Sequence, residues 1–175
     1  MVDTIKSVAV IGAGVMGASI AAHVANAGIK VFLLDIVKPG ANNRNAIAEN
    51  AIEKLKKMDP APLMGSRAIR LITPGNIEDD LEKLGGVDWI VEAVIERLDI
   101  KQDLYGKIEK HRKPGAIVSS NTSTIPLQEL TAGLPETLLK NFCITHFFNP
   151  PRYMRLLEIV GGPQTDPNSL AAVAK

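Results

Sequence analysis

Six residues, Gly12-Ala13-Gly14-Val15-Met16-Gly17, lie between two apolar runs and constrain this chain more than any other feature. Ahead of them, Val8-Ala9-Val10-Ile11 is short, apolar and partly β-branched, the pattern of a buried strand. Behind them, Val15 to Ala27 is rich in alanine, holds no proline and closes at Gly28, as a helix with a glycine C-cap does. Lys30 to Leu34 is a second apolar strand, ended by Asp35. A strand–helix–strand unit of this length implies parallel pairing with a right-handed crossover.

In that setting the G-x-G-x-x-G pattern acquires a chemistry. Gly12 permits a tight turn, Gly14 lets a pyrophosphate approach the backbone, and Gly17 lets helix and strand pack closely. Ala13, Val15 and Met16 complete the loop, whose free N–H groups face the anion at the positive end of the helix. Asp35 stands eighteen residues after Gly17. Its carboxylate can accept from an adenosine ribose 2′-OH and would repel a 2′-phosphate, which favours NAD over NADP. The competing reading is a plain tight turn followed by a solvated aspartate.

The rest of the chain alternates in the same way. Residues 43–58 read as a helix with Ile47, Ala51, Ile52 and Leu55 in phase. Ile69 to Thr73 reads as a short strand, Val87 to Val94 as a buried one, and Ile100 to Lys110 as a helix. Ala116 to Ser119 is a further strand, Pro126 opens a short helix, and Asn141–Phe147 and Arg155–Val160 are extended runs. The fold class is therefore α/β, with an open, mostly parallel sheet. Pro167 begins a helix of which only two turns follow, so the chain is expected to be the front part of a longer polypeptide.

Composition excludes several functions. Twenty Lys+Arg against nineteen Asp+Glu leave a formal charge of +1, without the basic excess of a nucleic-acid binder. No apolar run reaches the ~18 residues of a membrane span. The single cysteine, Cys143, forms no intrachain disulfide framework or cysteine-based zinc site and is expected in the core; no metal is expected. No signal or transit peptide precedes the first apolar run, so a cytoplasmic setting is expected. His23 and His111 are expected to be structural or surface residues.

Chemistry belongs where the strands end. Two extended runs flank Asn149-Pro150-Pro151-Arg152-Tyr153, which cannot continue a strand. If the runs fold back antiparallel about Arg152, paired positions share an index sum near 304, and His146 meets Glu158 on one face. A carboxylate on one imidazole nitrogen fixes the tautomer and leaves the other nitrogen for a substrate hydroxyl. A one-residue slip would separate the two groups. Spacing alone leaves open a histidine satisfied at a strand end and a glutamate on a solvated face.

Four segments together resemble one family: Gly12 to Gly17, Val91-Glu92-Ala93-Val94-Ile95-Glu96, Ser120-Asn121-Thr122-Ser123, and His146-Phe147-Phe148-Asn149-Pro150-Pro151 followed by Leu157-Glu158-Ile159-Val160. The chain resembles the N-terminal NAD-binding domain of L-3-hydroxyacyl-CoA dehydrogenases of fatty-acid β-oxidation, from Val8 to about Gly161. The resemblance implies a Rossmann-type doubly wound sheet with helices on both faces, NAD as cofactor and an acyl-CoA substrate. It implies His146 as the base for the 3-hydroxyl and Glu158 as its partner. Ser123 and Asn149 match contacts to substrate and nicotinamide, and Glu96 and Lys101 match cofactor contacts. Lys57, beside Lys54 and Lys56, matches the region that approaches coenzyme A, a solvated basic face being the other reading. A helical domain that closes the cleft and forms the homodimer follows in the family and is not within residues 1–175, nor is the strand expected after Pro167. The segment Asp35 to Arg44, with Pro39 and Gly40, matches loosely. A dehydrogenase of another hydroxy acid, or a non-catalytic NAD-binding domain, would share most of these features.

Overall fold

The structure, a computed structural model, describes residues 4–175. The opening unit is β1 (Ser7–Ile11), α1 (Val15–Asn26) and β2 (Lys30–Asp35). It continues with α2 (Ala46–Leu55), α3 (Ser66–Ile69), β3 (Ile72–Asn76), a 3₁₀ turn over Leu81–Gly86, β4 (Trp89–Glu92) and α4 (Leu98–His111). Then come β5 (Ile117–Ser120), α5 (Leu127–Leu130), α6 (Glu136–Leu139), β6 (Phe142–Phe147), β7 (Leu157–Gly161) and α7 (Pro167–Ala174).

Among the described residues the strands form one sheet in the order β3-β2-β1-β4-β5-β6-β7. Every pair is parallel except β6–β7. The order reverses direction between β1 and β4, the switch point at which doubly wound sheets open a crevice for ligands. This is a Rossmann-type sheet carrying one antiparallel strand on its far edge.

The central strands are apolar throughout because both faces are covered. Val8, Val10, Val91 and Cys143 pack toward α1 and α2, while Ala9, Ile11, Ile90 and Val118 pack toward α4. Each such buried aliphatic side chain contributes about 1.5–3 kcal/mol relative to exposure. Cys143 is in this core as expected, and burial pushes its thiol up to about 12.

Two local expectations are corrected. Ile69 ends a helical turn instead of opening a strand, and the strand runs from Ile72 to Asn76 through Pro74 and Gly75. The structure tolerates a proline there because β3 is at the sheet edge, where one missing N–H breaks no inner ladder. The helix expected over 43–58 is confined to Ala46–Leu55, since Asn43 and Arg44 turn outward to bind Glu49 and the Glu78–Asp79 pair.

Candidate active site

Register gathers the carboxyl ends of the strands on one rim. Ile11 lies beside Leu34 on one side and Glu92 on the other, and Glu92 lies beside Ser120. The ladder continues past the strands: Gly12 N donates to Leu34 O at 2.8 Å, Ala93 N to Ile11 O at 2.8 Å, and Asn121 N to Glu92 O at 2.8 Å. The glycine loop, Asp35, the segment after β4 and the Asn121–Ser123 segment are therefore neighbours.

The glycine loop is shaped by close approach. Gly12 has φ +107°, and a Cβ there would lie 2.5 Å from Ala93 O. A Cβ on Gly17 would lie 1.7 Å from Gly12 O. A Cβ on Gly14 would meet nothing within 4 Å, so open space faces the start of α1. No side chain caps that helix, which leaves its first N–H groups for an anion. A groove of about 590 Å³ leads from Ala13, Gly14 and Val15 past Lys38 to Lys54 on α2. Its volume is within the range of small-molecule sites.

Asp35 Oδ2 accepts from Ala13 N at 2.5 Å, and Oδ1 from Ile36 N at 2.7 Å. Each carboxylate oxygen retains a second lone pair for a ribose hydroxyl. Uncapped helix, open space at Gly14, groove and rim carboxylate all fit a dinucleotide with an unphosphorylated ribose.

At the other end of the rim, His146 and Glu158 are paired directly across β6 and β7. Nδ1 of His146 is 2.8 Å from Glu158 Oε2, and the two side chains are 22% and 51% exposed. Nε2 has no hydrogen-bond partner among the described residues, and the ring lies 4.6 Å from that of Phe148. Phe147, on the opposite face, packs in the core beside Trp89. Asn121 Oδ1 accepts from Phe147 N at 2.9 Å, which ties β6 to the segment that carries Ser123. Ser123 and Asn149 are exposed at the rim.

Between these ends is a charge network that sequence reasoning had not assembled. Glu92 is fully buried, and its carboxylate accepts from Lys101 Nζ at 2.7 Å and Tyr105 OH at 2.6 Å. Ser120 Oγ at 2.6 Å and Val94 N at 2.8 Å complete its donors. Burial, then the Glu92 charge, push the Tyr105 phenol up. Lys101, expected as a cofactor contact, has a side chain only 1% exposed and also reaches Glu96 Oε2 at 3.2 Å. Glu96 accepts from the hydroxyls of Thr122 and Thr124. Burial alone would raise its pKa, but the Thr122 hydroxyl, the Lys101 charge and the Thr124 hydroxyl hold it at about 2.

The remaining candidates are dispersed. Lys54 lines the groove, Lys56 pairs with Glu53 at 2.5 Å, and Lys57 is exposed beyond the end of α2. His111 Nδ1 bonds Lys107 O at 2.8 Å. His23 is half-buried beside a cavity of about 720 Å³ on the Phe147 face of the sheet, away from His146. Among the described residues no group of acidic, histidine or cysteine side chains is arranged to hold a metal, and no helix is long and apolar enough to cross a membrane.

Residues 7–175 match the family model described as 3-hydroxyacyl-CoA dehydrogenase, NAD binding domain. A probable 3-hydroxyacyl-CoA dehydrogenase of Deinococcus radiodurans is 53% identical over 163 residues, covering 93% of this chain and 47% of that protein. A putative fatty acid oxidation complex trifunctional enzyme of Rickettsia felis is 48% identical over 160 residues, covering 91% of this chain and 22% of that protein. The chain thus spans less than half the length of either relative. Among solved structures, (S)-3-hydroxybutyryl-CoA dehydrogenase PaaH1 from Ralstonia eutropha superposes with a TM-score of 0.76 at 30% identity, covering 97% of this chain and 59% of that one. Glycine cradle, rim carboxylate and family match agree, and the chain belongs to the 3-hydroxyacyl-CoA dehydrogenase family as its NAD-binding domain.

Proposed function

We propose that this domain serves the reversible oxidation of an L-3-hydroxyacyl-CoA to the 3-oxoacyl-CoA in fatty-acid β-oxidation. The observation that carries the reading is the His146–Glu158 pair at 2.8 Å, on the same rim as the glycine loop. Glu158 holds the proton on Nδ1 and so presents Nε2 as the acceptor. His146 Nε2 takes the proton of the 3-hydroxyl as the C3–H bond breaks and the C–O bond becomes a carbonyl. Bound NAD supplies the acceptor for the hydride that leaves C3. Glu158 then stabilises the imidazolium, as a carboxylate does in other oriented histidine pairs. Ser123 and Asn149, exposed on either side of β6, hold the reacting oxygen in line. Lys57, exposed beyond the end of α2, meets a phosphate of the CoA portion.

The reading extends to the whole polypeptide: residues 1–175 form the cofactor domain, a helical domain supplies the homodimer contact, and the protein works in the cytoplasm. The relatives' greater length supports further chain beyond the cofactor domain, and their names support the class of reaction.

The test is NADH consumption with acetoacetyl-CoA by the protein as its gene encodes it, beside His146→Ala. The rate should fall by about 10²–10⁴-fold, the usual contribution of a positioned acid–base group, with NADH affinity unchanged. Equal turnover of free acetoacetate would point to a dehydrogenase of another hydroxy acid. Tight NADH binding without turnover would point to a non-catalytic domain.

A further inference from the structure

The buried Glu92 belongs neither to the acid–base pair nor to the glycine loop, yet its contacts lead out to the rim through Lys101 and Glu96. Four donors converge on a fully buried carboxylate, one of them an ammonium that is itself buried. Such a pair is a weak source of stability, because well-packed apolar side chains in its place are often as stable or more so. Its arrangement here is directional. Tyr105 and Ser120 fix Oε2 from within the α4 face of the sheet. Oε1 then holds Lys101 Nζ, which spans 2.7 Å to Glu92 and 3.2 Å to Glu96. Glu96 is the outermost member, 38% exposed, and is braced by two threonine hydroxyls.

Strand order says which half of a dinucleotide this arm faces. Asp35, at the end of β2, marks the adenosine half, and the strands beyond the switch point, β4 to β6, take the other mononucleotide.

We propose that Glu92 is a positioning residue for the nicotinamide half of the site, sharing the Lys101 ammonium with Glu96 so that Glu96 keeps a fixed carboxylate at the rim. The proposal rests on the reading of Glu96 as a cofactor contact. Without the Glu92 charge, the ammonium is drawn onto Glu96 alone and takes up lone pairs that a ribose hydroxyl needs. Lys101 thereby acts on the cofactor through Glu96.

The experiment is a double-mutant cycle in the protein as its gene encodes it, reading dissociation constants for NADH and for ADP, which lacks the nicotinamide and its ribose. Glu92→Gln suits the cycle. Its amide oxygen still accepts from Val94 N, and its NH₂ can donate to the Tyr105 and Ser120 oxygens. Glu92→Gln and Glu96→Gln should each weaken NADH roughly tenfold, the weight of one hydrogen bond to a charged group. ADP should change by less than about twofold, and Glu92→Gln should add nothing in the Glu96→Gln background. Multiplying effects, or equal losses for NADH and ADP, would overturn the proposal and leave Glu92 as a structural ion-pair member. No effect of Glu96→Gln alone would overturn it too, and would identify the reading of Glu96 as the failed step. Should Glu92→Gln not fold, Tyr105→Phe carries the same cycle, removing one donor at Oε2 while keeping the ring, with a smaller effect and the same non-additivity.

Discussion

Asp35 uses one carboxylate in two directions. Inward, it accepts from Ala13 N and so fixes the second residue of the glycine loop; outward, it keeps lone pairs and a negative charge on the rim. We propose that this charge discriminates against a 2′-phosphate, since repulsion excludes a wrong ligand as effectively as contacts select the right one. Asp35→Ser should raise the affinity for NADPH relative to NADH by roughly tenfold or more, measured by titration of both nucleotides. An unchanged ratio would remove Asp35 from cofactor selection. At this scale the sequence was legible wherever a residue's partner could be deduced by local counting. His146 and Glu158 pair as the index sum requires, because twelve residues of one hairpin determine their register. Glu92, Lys101, Tyr105 and Ser120 could not be assembled that way. Ser120 is twenty-eight positions from Glu92, and only the pairing of β4 with β5 reveals them as neighbours. Lys101, in a helix with many charged residues, was expected as a cofactor contact, and its side chain is buried against Glu92.

Among the elements, the β1–α1 junction is the tightest. Gly17 packs so closely on Gly12 that a methyl group has no room, and the obstructing atom is backbone, which cannot swing aside. Gly17→Ala should destabilise the domain by about 1–3 kcal/mol or more, the usual cost of overpacking, and lower its melting temperature. NADH binding should weaken further than stability alone explains, because the loop must shift; unaltered melting and binding would contradict this packing. Long periodic elements such as α1 and α4, and the buried central strands, were readable from pattern. Among short elements, the turn opened by Pro126 was readable from its proline, whereas the 3₁₀ turn at Leu81–Gly86 and the single turn at Glu136–Leu139 offer too few residues for a period to show. β3 was displaced because Pro74-Gly75 reads as a break, and only its place at the sheet edge makes it a strand.

For the whole molecule, acid stability follows from groups whose proton affinity changes on folding. Burial lowers the pKa of His23 below 6.5, so the unfolded chain takes up that proton first. Stability from this source is present above pH 6.5 and is lost as pH falls. Glu96 and Asp88 are held low by their partners against the opposing effect of burial, and Asp79 by the Arg44 and Asn76 hydrogen bonds. Their contributions are present above the ordinary carboxylate values of 3.8 and 4.5 and vanish as pH drops through the lowered ones. The melting temperature should therefore fall in two stages, a shallow one from about pH 6.5 and a steeper one below about pH 4.5. His23→Gln should abolish the first stage, and a wild-type profile flat between pH 7 and 5 would exclude it.

The hairpin that carries His146 and Glu158 has one more consequence, which concerns the order of events as the chain folds. Its two partners are twelve residues apart, whereas Gly12 and Ala93, whose contact shapes the glycine cradle, are eighty-one apart. Closing the longer loop costs about 1.7 kcal/mol more in chain entropy, by the logarithmic dependence on loop length. The His146–Glu158 pair is thus a local product that can assemble early, and the glycine cradle a non-local one that waits for β4 to dock beside β1. Capture of the dinucleotide marks a finished sheet; alignment of the imidazole with its carboxylate does not.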